Sequence, residues 1–274
     1  MRARSAIPIL CLSLLPAACR KDRIEVDNLN GGNVTALGHG GMGIHDMLPM
    51  NSAASLLSAI NIADGTEMDV QLTMDGTLVA FHDEDLSVST DRAGIVADLT
   101  WAQVAEARYL QPLYSGHRIV DIGHFLANAD VPASSILYFD VKPLPGAQDP
   151  VLFRERMADA LAALVTAHGL TGRTFVECRD VGILLALRAR LPEPRLMSYS
   201  PDFGEGLALA VEHGLHGVSN FGDRVSAEQV RAAHEQGKWV ALVAQSRSEQ
   251  RSTAEKGPEI IFSDELRHLV ALLE

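Results

Sequence analysis

Residues 66–83 read TEMDVQLTMDGTLVAFHD, two apolar, strand-like runs separated by the turn signal Asp75-Gly76. Glu67 and Asp69 stand two apart in the first run, so both carboxylates project to the same side of a strand. The second run, Leu78 to Phe81, delivers His82 and Asp83 at its end. Too few residues join the two runs for a crossover helix. One of them is therefore expected to be an extension or hairpin outside any regular parallel sheet, and the sequence does not say which.

Outward from this stretch, β-type runs at 34–38, 66–71, 77–81, 136–141, 174–178, 195–199, 216–220, 238–244 and 259–262 alternate with helix-type runs. Sustained alternation of this kind means a parallel sheet, either closed as a (β/α) barrel or open and doubly wound. There is one β run more than an eight-stranded barrel needs. The helices are well marked. Phe153, Met157, Ala160, Leu161 and Leu164 fall on one stripe, with Gly169 where a C-cap belongs. Ser226 with Gln229, and Thr100 with Gln103, have capping-box spacing ahead of further helices.

The length of 274 residues suits one large α/β domain or two small ones, and 47% hydrophobic with 21% charged residues describes a folding chain. A formal net charge of −12 argues against nucleic acid or an anionic membrane as the main electrostatic partner. An anionic substrate would need a local reversal of that field, which a divalent cation and a lysine would supply.

Near the N-terminus, Arg2 and Arg4 precede the apolar run Ile7 to Leu15, which is too short to span a bilayer. Small residues follow at Pro16-Ala17-Ala18, then Cys19, and Leu15 to Cys19 resembles a bacterial lipoprotein box. The expected organisation is a signal peptide over 1–18, a polar tether over 19–33 lipidated at Cys19, and a barrel domain over 34–274. The protein is then expected to be secreted across the inner membrane as a periplasmic lipoprotein that meets the membrane through this anchor only. An ordinary secretory signal with a coincidental cysteine is the alternative. Removal of the signal leaves Cys178 as the remaining cysteine of the folded part, so no disulfide framework is available.

The chemistry gathers at strand ends. In Ile136 to Lys142 (ILYFDVK), Asp140 and Lys142 again stand two apart on an apolar strand. Unpaired buried charge is costly. Three acids and a lysine aimed into a barrel are most simply explained by a shared cation and an anionic ligand, against the plainer alternative of a salt-bridge network among Glu67, Asp69, Asp140 and Lys142. His39 closes the 34–38 run and His82 the 77–81 run, at the barrel face where active sites form. Two histidines in opposite protonation states can serve as general base and general acid near neutral pH. Carboxylates without cysteine favour a hard cation, and the same oxygen ligands serve Mg²⁺ or Ca²⁺.

Gly38-His39-Gly40-Gly41, then Asn51-Ser52, then EMDVQLTMDGTLVAFHDEDLSVSTDRAG (67–94) and finally FDVK (139–142) together resemble the glycerophosphodiester phosphodiesterases. The likeness spans most of residues 36–264 and is strongest from Glu67 to Gly94. It implies a (β/α)₈ TIM barrel, His39 and His82 as the catalytic pair, Glu67, Asp69 and Asp140 as ligands of one divalent cation, and Lys142 as a phosphate contact. The implied reaction is metal-dependent hydrolysis of a small glycerophosphodiester to glycerol 3-phosphate and an alcohol, through a cyclic phosphate. This chain departs from the pattern at Gly40, where the family has Arg; at Met50, where it has Glu; and at Asp140, where most members have Glu and the sphingomyelinase D-type phospholipases have Asp. Leu242 to Gln245 stand where the family has Trp-Thr-Val-Asn. The departures keep a phospholipase D-like enzyme acting on lysophospholipids or sphingolipids as an alternative. A catalytically silent, ligand-binding surface lipoprotein is a further one.

Overall fold

The computed structural model describes residues 24–45 and 47–274; the expected signal peptide and Cys19 lie outside them. Ten strands follow in chain order: β1 (Thr35–Gly38), β2 (Gly65–Leu72), β3 (Leu78–Ala80), β4 (Val120–Asp121), β5 (Ile136–Val141), β6 (Thr174–Cys178), β7 (Arg195–Tyr199), β8 (Gly217–Phe221), β9 (Trp239–Ala244) and β10 (Ile260–Ser263). β1, β2 and β5 to β10 run parallel, and β1 pairs with both β10 and β2, which closes an eight-stranded (β/α) barrel. The open doubly wound arrangement is thereby excluded.

The extra strand is the second run of the 66–83 stretch. β3 pairs antiparallel with the far half of β2 (Val70 opposite Ala80), and β4 adds to β3. β2 is long enough to belong to the barrel with its first half and to this extension with its second. β4 carries no sequence signal because a two-residue strand shows no period.

At the closure, Gly65 pairs with Leu37 of β1 on one side and Ile136 of β5 on the other. A Cβ at Gly65 would sit 1.9 Å from the Ile136 carbonyl oxygen, so only glycine fits there. The lower interior of the barrel is filled by Leu37, Tyr138, Phe175, Met197, Ala241, Ile260 and Phe262. Tyr138 stacks on Phe175 (centroids 5.8 Å apart) and meets Phe262 edge-on (4.6 Å), arrangements favoured by the ring quadrupoles. The interior is therefore plugged below and free to hold polar groups only at the upper end.

Outside the strands, the helix Pro150–Ala167 buries Phe153, Met157, Ala158, Leu161, Leu164 and Val165. The stripe read from sequence is displaced at one position: Ala158 is fully buried, while Ala160 is only partly covered. Gly169 has the left-handed φ of +59° expected of a C-cap. Both capping boxes form. Of the stretch expected to be a tether, Asn28 donates to the Pro258 carbonyl (3.0 Å) and the Leu29 N–H donates to Glu259 (2.8 Å), at the start of β10. Among the described residues no helix is long and apolar enough to cross a membrane.

Candidate active site

The C-terminal ends of the parallel strands share one face of the barrel, and the acidic residues collect there. Asp69 of β2 lies opposite Asp140 of β5, which lies opposite Glu177 of β6. Glu67 stands two residues before Asp69 on the same strand. Carboxylate oxygens of Glu67, Asp69 and Asp140 all lie within 4.8 Å of one another, a spacing that could hold a metal ion.

Each carboxylate is held from outside the cluster. The Gly40 N–H donates to Glu67 at 2.5 Å. Asn51 donates through Nδ2 to Asp69 Oδ2 (2.6 Å) and accepts from the Asp69 N–H (2.9 Å). Asn51 has a left-handed φ of +63°, a conformation its short amide tolerates. Lys142 Nζ pairs with Asp69 Oδ1 at 2.7 Å and Asp140 Oδ2 at 2.5 Å. The lysine expected as a phosphate contact thus also acts as an internal counter-ion.

One lysine does not balance these acids. Burial first, then the charge of Asp69, pushes the Glu67 carboxyl well above the usual carboxylate range. Burial likewise raises Asp140, against the opposing pull of Lys142. In Asp69 burial is outweighed by the nearby charges of Lys142 and His82, and its pKa falls. Glu177 is pushed up to about 8 by burial and by Asp140, and the Tyr138 hydroxyl donates to it at 2.7 Å. This surplus of buried negative charge, with oxygen donors alone, is the environment a hard divalent cation prefers.

His39 follows β1, and its Nδ1 pairs with Asp264 Oδ1 at 2.8 Å. Burial opposes charge on His39, but the Asp264 hydrogen bond and the charge of Glu67 prevail and raise its pKa to about 9. With Nδ1 engaged, Nε2 is the ring nitrogen left for chemistry. His82 follows β3. Gln71 steadies its loop by donating to the carbonyls of Phe81 and Asp83, both at 2.8 Å. His82 Nδ1 pairs with Asp83 Oδ1 at 3.1 Å, and its side chain is 62% exposed. His39, His82, Asp69, Asp140, Lys142 and Glu177 all line one cavity of about 270 Å³.

The barrel residues singled out from sequence are thus brought together, with Glu67 completing the carboxylate cluster. Sequence reasoning missed Glu177 and Asp264 and saw Asn51 only within a motif. Glu177 carried a usable signal, since an acid inside Thr174-Phe-Val-Glu-Cys178 is as anomalous as Asp140 in its strand. Gly40 and Met50 lie against each other: Gly40 has φ +54°, and a Cβ there would lie 2.7 Å from the Met50 Cε. That methyl is the flexible end of the Met50 side chain, so the left-handed φ, more than the contact, is what favours glycine at residue 40.

Residues 42–264 match the model of the "Glycerophosphoryl diester phosphodiesterase family". A glycerophosphodiester phosphodiesterase of Caldanaerobacter subterraneus is 31% identical over 104 residues, covering 33% of this chain and 43% of the relative. Glycerophosphodiester phosphodiesterase 1 of Rattus norvegicus is 40% identical over 86 residues, covering 31% of this chain and 24% of the relative. The matched stretches span less than half the length of either relative. An Oleispira antarctica phosphodiesterase solved with its product sn-glycerol-3-phosphate superposes with a TM-score of 0.76 at 19% identity, covering 90% of this chain and 99% of that one, a likeness of fold.

Proposed function

The chain belongs to the glycerophosphoryl diester phosphodiesterase family, and on that premise we propose that it hydrolyses glycerophosphodiesters to glycerol 3-phosphate and an alcohol. The observation that carries this reading is the meeting of Glu67, Asp69 and Asp140 within 4.8 Å at the end of the barrel, beside a cavity lined by both His39 and His82.

Glu67, Asp69 and Asp140 are the residues that would hold one divalent cation, Mg²⁺ or Ca²⁺. Such an ion would neutralise a non-bridging phosphate oxygen and offset the charge of Glu67 and Asp69, which together with Asp264 keeps His39 protonated. His39, oriented by Asp264, takes the proton of the glycerol 2-hydroxyl as that oxygen attacks phosphorus. His82, oriented by Asp83, protonates the departing alcohol oxygen. Water then opens the cyclic phosphate with the two roles exchanged, which returns each histidine to its starting state. Lys142 contributes positive charge to the phosphate from its place between Asp69 and Asp140.

Phosphorus NMR of products from glycerophosphocholine, with added Mg²⁺ or Ca²⁺ and again after chelation, tests the proposal. The expected result is glycerol 3-phosphate that accumulates only with the cation. Hydrolysis indifferent to chelator would remove the metal from the reaction, and no hydrolysis under either condition would remove the reaction itself.

From the lipobox-like Leu15 to Cys19 we further infer a periplasmic, lipid-anchored protein. Radiolabelled palmitate is expected to enter the natural chain and not Cys19→Ala; equal labelling of the two would refute the anchor.

A further inference from the structure

A concavity of about 620 Å³ shares Asp140, Lys142 and Tyr199 with the catalytic cavity, and Arg179, Asp180 and Val181, which follow β6, complete its polar side. Its volume lies within the span of about 300–1,000 Å³ common for small-molecule sites. The charges that line it are unevenly committed. Asp180 accepts from Arg154 Nε at 2.7 Å through one oxygen and from the Gly182 N–H at 2.9 Å through the other. Asp140 already accepts from Lys142.

Arg179 is exposed and has neither a hydrogen bond nor an ion pair from its side chain among the described residues. Most of the described arginines pair with a carboxylate or donate to a backbone carbonyl, as Arg154, Arg190 and Arg247, or Arg173 and Arg188, do. In a chain with 35 acids against 23 lysines and arginines, an arginine left without an acid stands out. Tyr199, on the border of the two cavities, likewise makes no side-chain hydrogen bond among the described residues. A guanidinium presents a planar fork of N–H groups that fits a carboxylate or a phosphate. Two such donors around one concavity suit an anion.

The order of the staves says which part of a substrate brings it. β2, which carries the His82 extension, is followed around the barrel by β5 with Asp140 and Lys142, then β6 with Arg179 beyond it, then β7 ending at Tyr199. With the departing alcohol beside His82 and the phosphate beside Lys142, the glycerol arm of the diester extends toward Arg179. Its 2-hydroxyl is the attacking group, so a further substituent sits on its outer hydroxyl.

We propose that Arg179, with Tyr199, binds a second anionic group, a phosphate or a carboxylate, carried on the outer hydroxyl of the substrate's glycerol. Glycerophosphodiesters substituted in this way are then preferred over those whose glycerol is bare. The preference rests on the phosphodiesterase reading given above, while the affinity of the subsite for an anion does not.

The test has two readouts. In the first, kcat/KM with divalent cation is compared within two pairs of substrates. One pair is glycerophosphocholine and its 1-phosphate; the other is the 1-carbamoylmethyl and 1-carboxymethyl ethers of glycerophosphocholine, which have the same shape and differ in charge. The expected result is a preference of roughly tenfold or more for the anionic member of at least one pair, the usual worth of a hydrogen bond between charged groups. Which pair shows it tells whether phosphate or carboxylate is the group bound. In Arg179→Gln the ratio is expected to fall toward one. A preference that survives this substitution would belong to Lys142 or the cation and would overturn the subsite.

In the second readout, calorimetry follows the binding of propane-1,3-diol with phosphocholine on one hydroxyl and a phosphate or carboxymethyl group on the other, against propylphosphocholine. None of these has a 2-hydroxyl, so none is cleaved through a cyclic phosphate. An anionic compound is expected to bind about tenfold more tightly, and Arg179→Gln to remove the difference. Hydrolysis with no preference in either pair, and equal binding of the propyl compounds, would overturn the subsite while sparing the reaction. A binding difference that Arg179→Gln removes, in a protein that hydrolyses none of the substrates, would uphold the subsite and overturn the reaction.

Discussion

Replacing His82 with alanine is expected to lower kcat on glycerophosphocholine by about 10²–10⁴-fold, the usual worth of a positioned general acid or base. The melting temperature is expected to stay where it is. The His82 side chain is 62% exposed and its ion pair is to Asp83, the adjacent residue, so its removal opens no cavity and strands no distant partner. An activated substrate separates the roles. A p-nitrophenyl ester expels a leaving group that needs no proton, so His82→Ala is expected to release p-nitrophenolate in the first turnover at nearly the natural rate. An equal loss on both substrates would make His82 the base, and near-normal turnover of glycerophosphocholine would remove it from catalysis. The same substitution at His39 is a less clean experiment, because it leaves Asp264, 5% exposed, without its partner.

Glu67→Gln is expected to raise the thermal stability of the cation-free protein at neutral pH while abolishing both turnover and the response to cation. The sign follows from the direction of the shift. A carboxyl whose folded pKa lies above its unfolded value favours folding only while it is protonated. That contribution is complete below the unfolded pKa and is lost as pH rises from there toward the folded one. Burial and Asp69 place Glu67 in this class. Glutamine has the same shape, keeps an oxygen to accept from the Gly40 N–H, and never ionises. The benefit should therefore vanish in acid and appear near pH 7. In the natural protein, a cation at a hundred times its dissociation constant is expected to add about 2.7 kcal/mol, and in the variant very little. Melting curves with and without divalent cation decide the matter. A Glu67→Gln variant that melts below the natural protein without cation, or that gains as much from it, would show that the three carboxylates do not form a cation site.

Much of this architecture was legible because charge on an apolar strand is conspicuous. Glu67, Asp69, Asp140 and Lys142 were visible for that reason, and the alternation of β and α runs required a parallel sheet. The choice between closed and open was legible only through the family resemblance, which implied the closed barrel, and not from the alternation itself. It depends on the pairing of Leu37 with Gly65 and of Gly38 with Thr66, a contact between segments whose spacing no periodicity records. The same holds for the choice between 66–71 and 77–81 as the run outside the barrel. Partners that arrive from loops were also invisible. Asp264 lies 225 positions from His39, and nothing local to either residue announces the other. Lys142 illustrates a different limit. Its chemistry was readable, but its pairing with two acids at once is a matter of register between β2 and β5.

The two histidines ride on supports of unequal rigidity. His39 leaves β1, a stave hydrogen-bonded along both edges, whereas His82 leaves β3, whose neighbours are the far half of β2 and the two residues of β4. Residues 73–121 therefore form an insertion outside the eight staves, and the helix Ile122–Asn128 that follows packs on the barrel core through Ile122 and Phe125. The carboxylate end of the chemistry is tied to the architecture, and the leaving-group end is portable. A lineage built on this plan can change the alcohol it releases by editing the insertion alone.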